Sequence, residues 1–403
     1  MDQSTSAASS SLPIKRRRLW RRLAFALVLL FLAAGSGLVV FLWTATSDLD
    51  AVVAELDRLD PGWRMEAIEA NRKAVPDEDN SALQIIAVRE LLGGNMALAA
   101  KLTPKVPPQV QLNDKESAEI DKYLEGESQA VFEARKLRDM PAGRWPIKYD
   151  DDFTAPIPRT ATVLNALNVA RFLVVDAARR AHASDADGAI ESCLAIEHAA
   201  QSMGNDPSLM AQLVRGACTT LAVGALERTL AQNHFTRASE ASLKQMQAAL
   251  TKELPDESMR IAMHCERAFT RQVFQALVRR GLQYLLGHIQ QGRGTQAKLR
   301  CAVAALAAER FRLAHNRWPE SLDVLVQAGF LDAILIDPFD GKPLRLKRRA
   351  EGLVIYSVGE DGIDNDGNVD SVRPSDPGKD LGFRLWDTAW RRQAPIQPAV
   401  AGE

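Results

Sequence analysis

Residues 23 to 43, LAFALVLLFLAAGSGLVVFLW, carry no charge over 21 positions. As a helix rising 1.5 Å per residue, such a run spans roughly 31 Å, about one hydrocarbon core. No other feature constrains the chain so strongly, because a segment that inserts in a bilayer dictates where everything before and after it folds. Lys15, Arg16, Arg17, Arg18, Arg21 and Arg22 crowd the side before it, and Trp20 and Trp43 bracket it as interfacial aromatics do. The positive side stays cytoplasmic, so residues 1–22 are expected to be a cytoplasmic basic tail and the chain after Trp43 to cross. A cleaved signal peptide has a shorter apolar region, about 7–15 residues, and a small-x-small site after it, which this run lacks. The expectation is one transmembrane helix over 23–43 in a bacterial inner membrane, with the bulk of the chain periplasmic.

The rest of the sequence is that of a globular protein. Its 403 residues are 46% hydrophobic and 25% charged, enough for a sizeable core, and the formal net charge of −1 leaves no footprint for nucleic acid. The six histidines, at 182, 198, 234, 264, 288 and 315, never fall in an H-E-x-x-H spacing. There is no G-x-S-x-G, P-loop or G-x-G-x-x-G either, so no reaction and no small-molecule substrate is inferred. HCERAF (264–269) places His264, Glu266 and Arg267 together, where local ion pairing outweighs catalysis. Asp150, Asp151 and Asp152 read as a solvated loop. The four cysteines, Cys193, Cys218, Cys265 and Cys301, stand apart among apolar helical neighbours and read as small buried hydrophobes, with a disulfide left open.

The periodicity predicts a mainly α protein. Residues 44–292 form an α-helical extracytoplasmic domain, bundle- or solenoid-like. Asp79, Asn80 or Ser81 caps a helix that Gly93-Gly94 stops, and further helices cover about 160–183, 186–203, 207–232, 238–253 and 255–291 with short polar breaks between them. From 296 the character changes. A helix with Leu299, Val303, Leu306 and Leu313 on one stripe precedes a turn of helix begun by Pro319 and stopped by Gly329. Leu344 and Leu346 then alternate with Arg345 and Lys347, and Glu351-Gly352 separates that run from the β-branched, aromatic stretch Leu353–Val358. A β-hairpin is the expectation, with 381–387 available as a further strand. Residues 296–390 thus read as a small α+β module, and 391–403 as a disordered tail.

The order of motifs in this module resembles the globular domain of the major pseudopilins of type II secretion. The similarity runs from about 302 to 370: a helix entering N-R-W-P-E-S-L (Asn316 to Leu322), then G-F-L (Gly329 to Leu331), D-P-F-D-G-K-P-L (Asp337 to Leu344) and Y-S-V-G-E-D-G (Tyr356 to Gly362). The whole layout resembles that of uncharacterised single-span envelope proteins of planctomycete bacteria. It departs from a pseudopilin in that the membrane segment lies about 250 residues upstream of the module and lacks the glutamate of a processed leader.

In that family the acidic loop binds calcium, which implies Asp361 and the Val358 carbonyl as ligands here. The residues supply the chemistry on their own terms, because calcium takes six to eight hard oxygens from a chain that can turn sharply. Asp361, Asp364, Asp366 and Asp370 offer carboxylates, Asn365 and Asn368 amides, and Gly362 and Gly367 the turns. The spacing is not that of an EF-hand, and zinc would want His or Cys nearby. A solvated Asn-Asp-Gly turn is the alternative. The sequence therefore leads to a membrane-anchored, non-enzymatic interaction or scaffold protein with a calcium-stabilised module and envelope protein partners. An accessory of a secretion or pilus-like apparatus, and an envelope enzyme with a site near Glu266 and Arg267, are the rival readings.

Overall fold

The computed structural model describes residues 58, 70, 72–147, 158–206, 208–254, 278–370, 372, 376 and 378–396. The membrane segment expected at 23–43, the acids at 150–152, Cys265 and the His264–Arg267 stretch lie outside the described residues. The chain divides into Met1–Trp63, where Arg58 is the one described residue, and Arg64–Glu403. The second unit is mostly helical with a small antiparallel sheet.

Local chemistry sets the helix ends. Helix α1 (Ser81–Leu92) starts where Asn80 Oδ1 accepts the Ala82 N–H, and stops at Gly93, whose φ of 52° suits glycine. After α2 (Met96–Leu102), α3 (Asp114–Gly126) opens with a reciprocal cap between Asn113 and Glu116. Next come α4 (Ser128–Arg135), α5 (Pro158–His182), α6 (Ala186–Gln201), α7 (Leu209–Gln232) and α8 (Glu240–Thr251). Helix α9 (Val278–His315) then runs unbroken through 292–296, where the sequence suggested a boundary. Gly292 and Gly294 each cost about 1 kcal/mol in a helix interior, less than the packing of this helix returns. Ser321 caps the short α10 (Leu322–Gln327).

The helices α5, α6 and α7 pack mutually, α9 lies against α7 and α8, and the sheet lies against α9. One hydrophobic core therefore runs from Ala82 through Phe172, Leu226 and Leu306 to Leu385, so the helical part and the C-terminal module share their interior. Ser81–Leu102 and Leu209–Gln232 are long and apolar enough to cross a membrane. Their Ile85, Val88, Val214 and Leu226 sit in this common core, as they do in a helix buried by protein.

The expected hairpin is present. Strand β1 (Arg345–Arg349) pairs with β2 (Gly352–Ser357), Leu346 opposite Ile355, and β3 (Leu381–Trp386) pairs with the other edge of β2. Gly352 is required at its turn, because a Cβ there would stand 1.9 Å from the Leu385 carbonyl oxygen. The start of the tail is tied down, contrary to the disorder expected from residue 391. Arg391 is buried on Glu309 at 3.0 Å, Gln393 exchanges backbone hydrogen bonds with the 109–111 segment, and Arg392 donates to carbonyls of Ala181, His182 and Gln232. The Pro- and Ala-rich composition concealed two arginines that satisfy buried acceptors.

Cys193, Cys218 and Cys301 are buried free thiols, and burial pushes the Cys193 thiol up to about 12, which leaves it inert as a nucleophile. On α6, Glu197 is fully buried, and its Oε1 accepts a long hydrogen bond from Thr219 at 3.5 Å. Burial and the charge of Glu253 raise its carboxyl against the pull of Arg215. A carboxyl raised in the folded state costs stability as pH climbs from its unfolded value, about 4.3, toward the folded one. Glu197→Gln should therefore melt higher than the parent at pH 8, by on the order of 1 kcal/mol, with a flatter melting profile from pH 5 to 8. Parallel profiles for the two proteins would contradict it.

Candidate functional site

The acidic loop is built on two buried carboxylates. Asp337, in the D-P-F-D-G turn, has no solvent exposure and takes four donors. Its Oδ1 accepts the Ser357 hydroxyl at 2.8 Å and the Phe339 N–H at 2.9 Å, and its Oδ2 accepts the Val358 N–H at 3.0 Å and Arg345 Nη1 at 2.9 Å. This ties the end of β2 to the turn before β1. Asp380, just before β3, is equally buried and accepts the N–H groups of Asn365, Gly367 and Asn368 at 2.8–3.2 Å. Burial pushes its carboxyl up while the three N–H groups pull it back. Gly367, at φ 74°, lies so close to the Tyr356 ring that a Cβ would be 3.0 Å from it.

Each of the five expected ligand residues has a hydrogen-bond partner of its own. Val358 is buried, and its N–H faces Asp337. Asp361 is exposed and accepts the Ile363 N–H at 3.0 Å, while Asp370 accepts the Val372 N–H at 2.9 Å. Asp364 accepts the Tyr356 hydroxyl at 3.1 Å and the Asp366 N–H at 2.9 Å, and lies 3.3 Å from Arg345. Asp366 pairs with Lys347 and Arg349. The loop has thus folded over the cationic strand R-L-K-R-R, whose Arg345, Lys347 and Arg349 pair with Asp364 and Asp366. Among the described residues no group of three or more His, Cys, Asp or Glu side chains is arranged to hold a metal ion.

The even-numbered side of the same strand forms a second site. Leu346 and Arg348 join Arg312, Asn316, Arg317, Trp318, Pro319, Glu320 and Asp387 around a cleft of about 650 Å³. Asn316, at φ 54°, turns the chain out of α9 ahead of the buried Trp318. The Trp318 indole N–H donates to Asp387 Oδ1 at 2.5 Å, and Arg348 lies 2.6 Å from the other oxygen. The Arg312 guanidinium sits 5.4 Å from the centre of the Trp318 ring. Burial would raise Asp387, but the indole and Arg348 hydrogen bonds and the charges of Arg348 and Arg312 hold its carboxyl below the usual range. The cleft therefore already stabilises one carboxylate by an indole N–H, a guanidinium and a positive field. Glu309 behind it is shared by Arg312 and Arg391, so four guanidiniums face the three carboxylates Glu309, Glu320 and Asp387.

The sequence reading noted N-R-W-P-E-S-L, and the D-P-F-D-G motif that Asp337 opens, as parts of a resemblance without assigning them a role, and it gave none to Asp380 or Asp387. Each is a lone aspartate in a turn-like context, and only the tertiary contacts separate it from a solvated one. Comparison with protein-family models, with curated proteins and with solved structures finds no match for this chain.

Proposed function

We propose that this is a membrane-anchored, extracytoplasmic, non-enzymatic interaction protein of the bacterial envelope, in which the helical body carries a pseudopilin-like C-terminal module that docks an acidic segment of a partner at the Trp318 cleft. The observation that carries the reading is the treatment of Asp387. Two exposed arginines, Arg317 and Arg348, stand beside a buried indole donor in a concavity that already accommodates a carboxylate. Arginine forks and an indole N–H match carboxylate geometry, and aromatic-plus-arginine patches supply much of the energy of protein interfaces. The anchor rests on the uncharged run at 23–43, and the envelope placement on the basic residues before it.

Charge changes at the rim test this function. Arg317→Glu with Arg348→Glu should weaken binding of a Glu/Asp-rich peptide to the full chain by at least about ten-fold, while Glu320→Gln should tighten it. Rim charges of this kind are expected to leave the melting temperature within a few degrees. Binding that is indifferent to all three changes would dismiss the cleft.

Calcium at the acidic loop is a further part of the proposal, supported by the supply of oxygens and by the resemblance. The fit is partial. A cation held by the Val358 carbonyl, Asp361, Asp364, Asp366 and Asp370 would have to replace Arg345 and Lys347 at Asp364 and Asp366. Bound, it would supply charge neutralisation and cross-link the loop. The expected result is a higher melting temperature of the full chain in calcium than in chelator, a difference that Asp361→Ala removes. Superimposable melts would leave strand β1 as the counter-charge of the loop.

A further inference from the structure

A second cavity, of about 300 Å³, lies between α5, α7 and the proline-rich connection at 103–108. Its walls are mainly apolar, with Val106, Pro108, Val174, Ala178, Leu221 and Ala225 among them. At one end stands Arg228, 8% exposed. Its Nη2 donates to the Val110 carbonyl at 3.0 Å and its Nη1 makes long contacts of 3.5 Å with the Val106 and Pro107 carbonyls. Its Nε is buried with no acceptor, and among the described residues no carboxylate lies within ion-pair distance of it. Burial lowers the guanidinium to about 10, with Glu116 opposing from farther off.

A buried, uncompensated guanidinium is costly, and the buried arginine that clamps Glu309 is by contrast fully paired. Two other charges stand on the wall: Lys105, which is exposed and adds positive charge, and Glu227, whose Oε1 accepts the Arg384 N–H at 3.1 Å and whose charge acts on Lys298 of α9. The free electrostatic demand of the cavity is therefore for an anion at Arg228, and the free steric demand is for a short apolar body.

We infer that this cavity binds a small amphipathic monocarboxylate, its carboxylate against Arg228 and its apolar tail along α7 toward Gly224. The volume, at the lower end of small-ligand sites (about 300–1,000 Å³), suits a short tail rather than a full-length acyl chain. Carbonyl contacts from Arg228 orient the guanidinium without neutralising it, which leaves its charge available to the ligand. This site is separate from the Trp318 cleft and does not depend on it.

Gly224 provides the control for folding. It lines the cavity within α7, and a Cβ added there meets nothing within 4 Å, so Gly224→Leu enters open space and replaces a poor helix former by a good one. The experiment is calorimetric titration of the full chain in lipid nanodiscs with hexanoate, hexanol and hexylammonium, corrected for empty nanodiscs. Hexanoate should bind at least about ten-fold tighter than hexanol, with hexylammonium silent. Arg228→Gln should remove the preference for hexanoate over hexanol. Gly224→Leu should abolish binding of both while melting at or above the parent temperature. Equal affinity for hexanoate and hexanol in the parent chain, or undiminished hexanoate binding in Gly224→Leu, overturns the inference.

Discussion

Replacing Arg391 by alanine is expected to cost about 3–5 kcal/mol, because it removes one of the two cations that balance a carboxylate with no solvent exposure. Arg391 holds both oxygens of Glu309 at 3.0–3.1 Å and donates to the Asn233 and Trp386 carbonyls, so it joins α9, the end of α7 and β3 at one point. Burial alone would raise Glu309, yet Arg391 and Arg312 outweigh it and keep its carboxyl below the ordinary range. A carboxyl lowered by folding contributes stability above its unfolded pKa, about 4.3, and that contribution is lost as pH falls through the lower, folded value. Chemical denaturation of the full chain should show the parent losing stability below about pH 4 and Arg391→Ala already weakened at neutral pH. An effect below about 1 kcal/mol would mean that Arg312 alone suffices for Glu309.

The second large effect is expected at Asp337. Asparagine keeps the shape but presents an NH₂ group where Oδ2 now accepts both the Val358 N–H and Arg345, so two buried donors would face a third. The expected cost of Asp337→Asn is about 3 kcal/mol, against less than about 1 kcal/mol for the neighbouring, partly exposed Asp340→Asn. Hydrogen exchange should speed up at the Val358 amide and through the acidic loop while α5 to α7 stay protected. Unchanged exchange at Val358 would show that Asp337 is not what fastens the loop to β2.

These two residues also mark how far the sequence could be read. Helices declared themselves where caps and periodicity coincided, as at Asn80, while the short helix expected from Pro319 starts only after its Ser321 cap; the hairpin declared itself because Leu344 and Leu346 alternate with arginine and lysine ahead of a glycine turn. Helix α9 runs on through 292–296 because a local cost of about 1 kcal/mol at each of Gly292 and Gly294 is overridden by the packing that holds it together. The acidic loop was legible only in part. Its five acids were visible, but the partners of Asp364 and Asp366 come from odd-numbered residues of β1, 17 to 19 positions earlier, which meet the loop only once the hairpin has formed. The cleft was hidden for the same reason, because Asn316–Glu320, Arg348 and Asp387 are brought together only by the fold.

That cleft is where the account is most exposed to test. The decisive measurement is the affinity of the full chain for an acidic peptide, set against a basic peptide of equal length and followed by fluorescence anisotropy from 50 to 300 mM salt. Preferential binding of the acidic peptide, on the order of 10 µM at low salt and falling steadily as salt is raised, is the predicted result. Equal binding of both peptides, or an affinity that ignores salt, would contradict it.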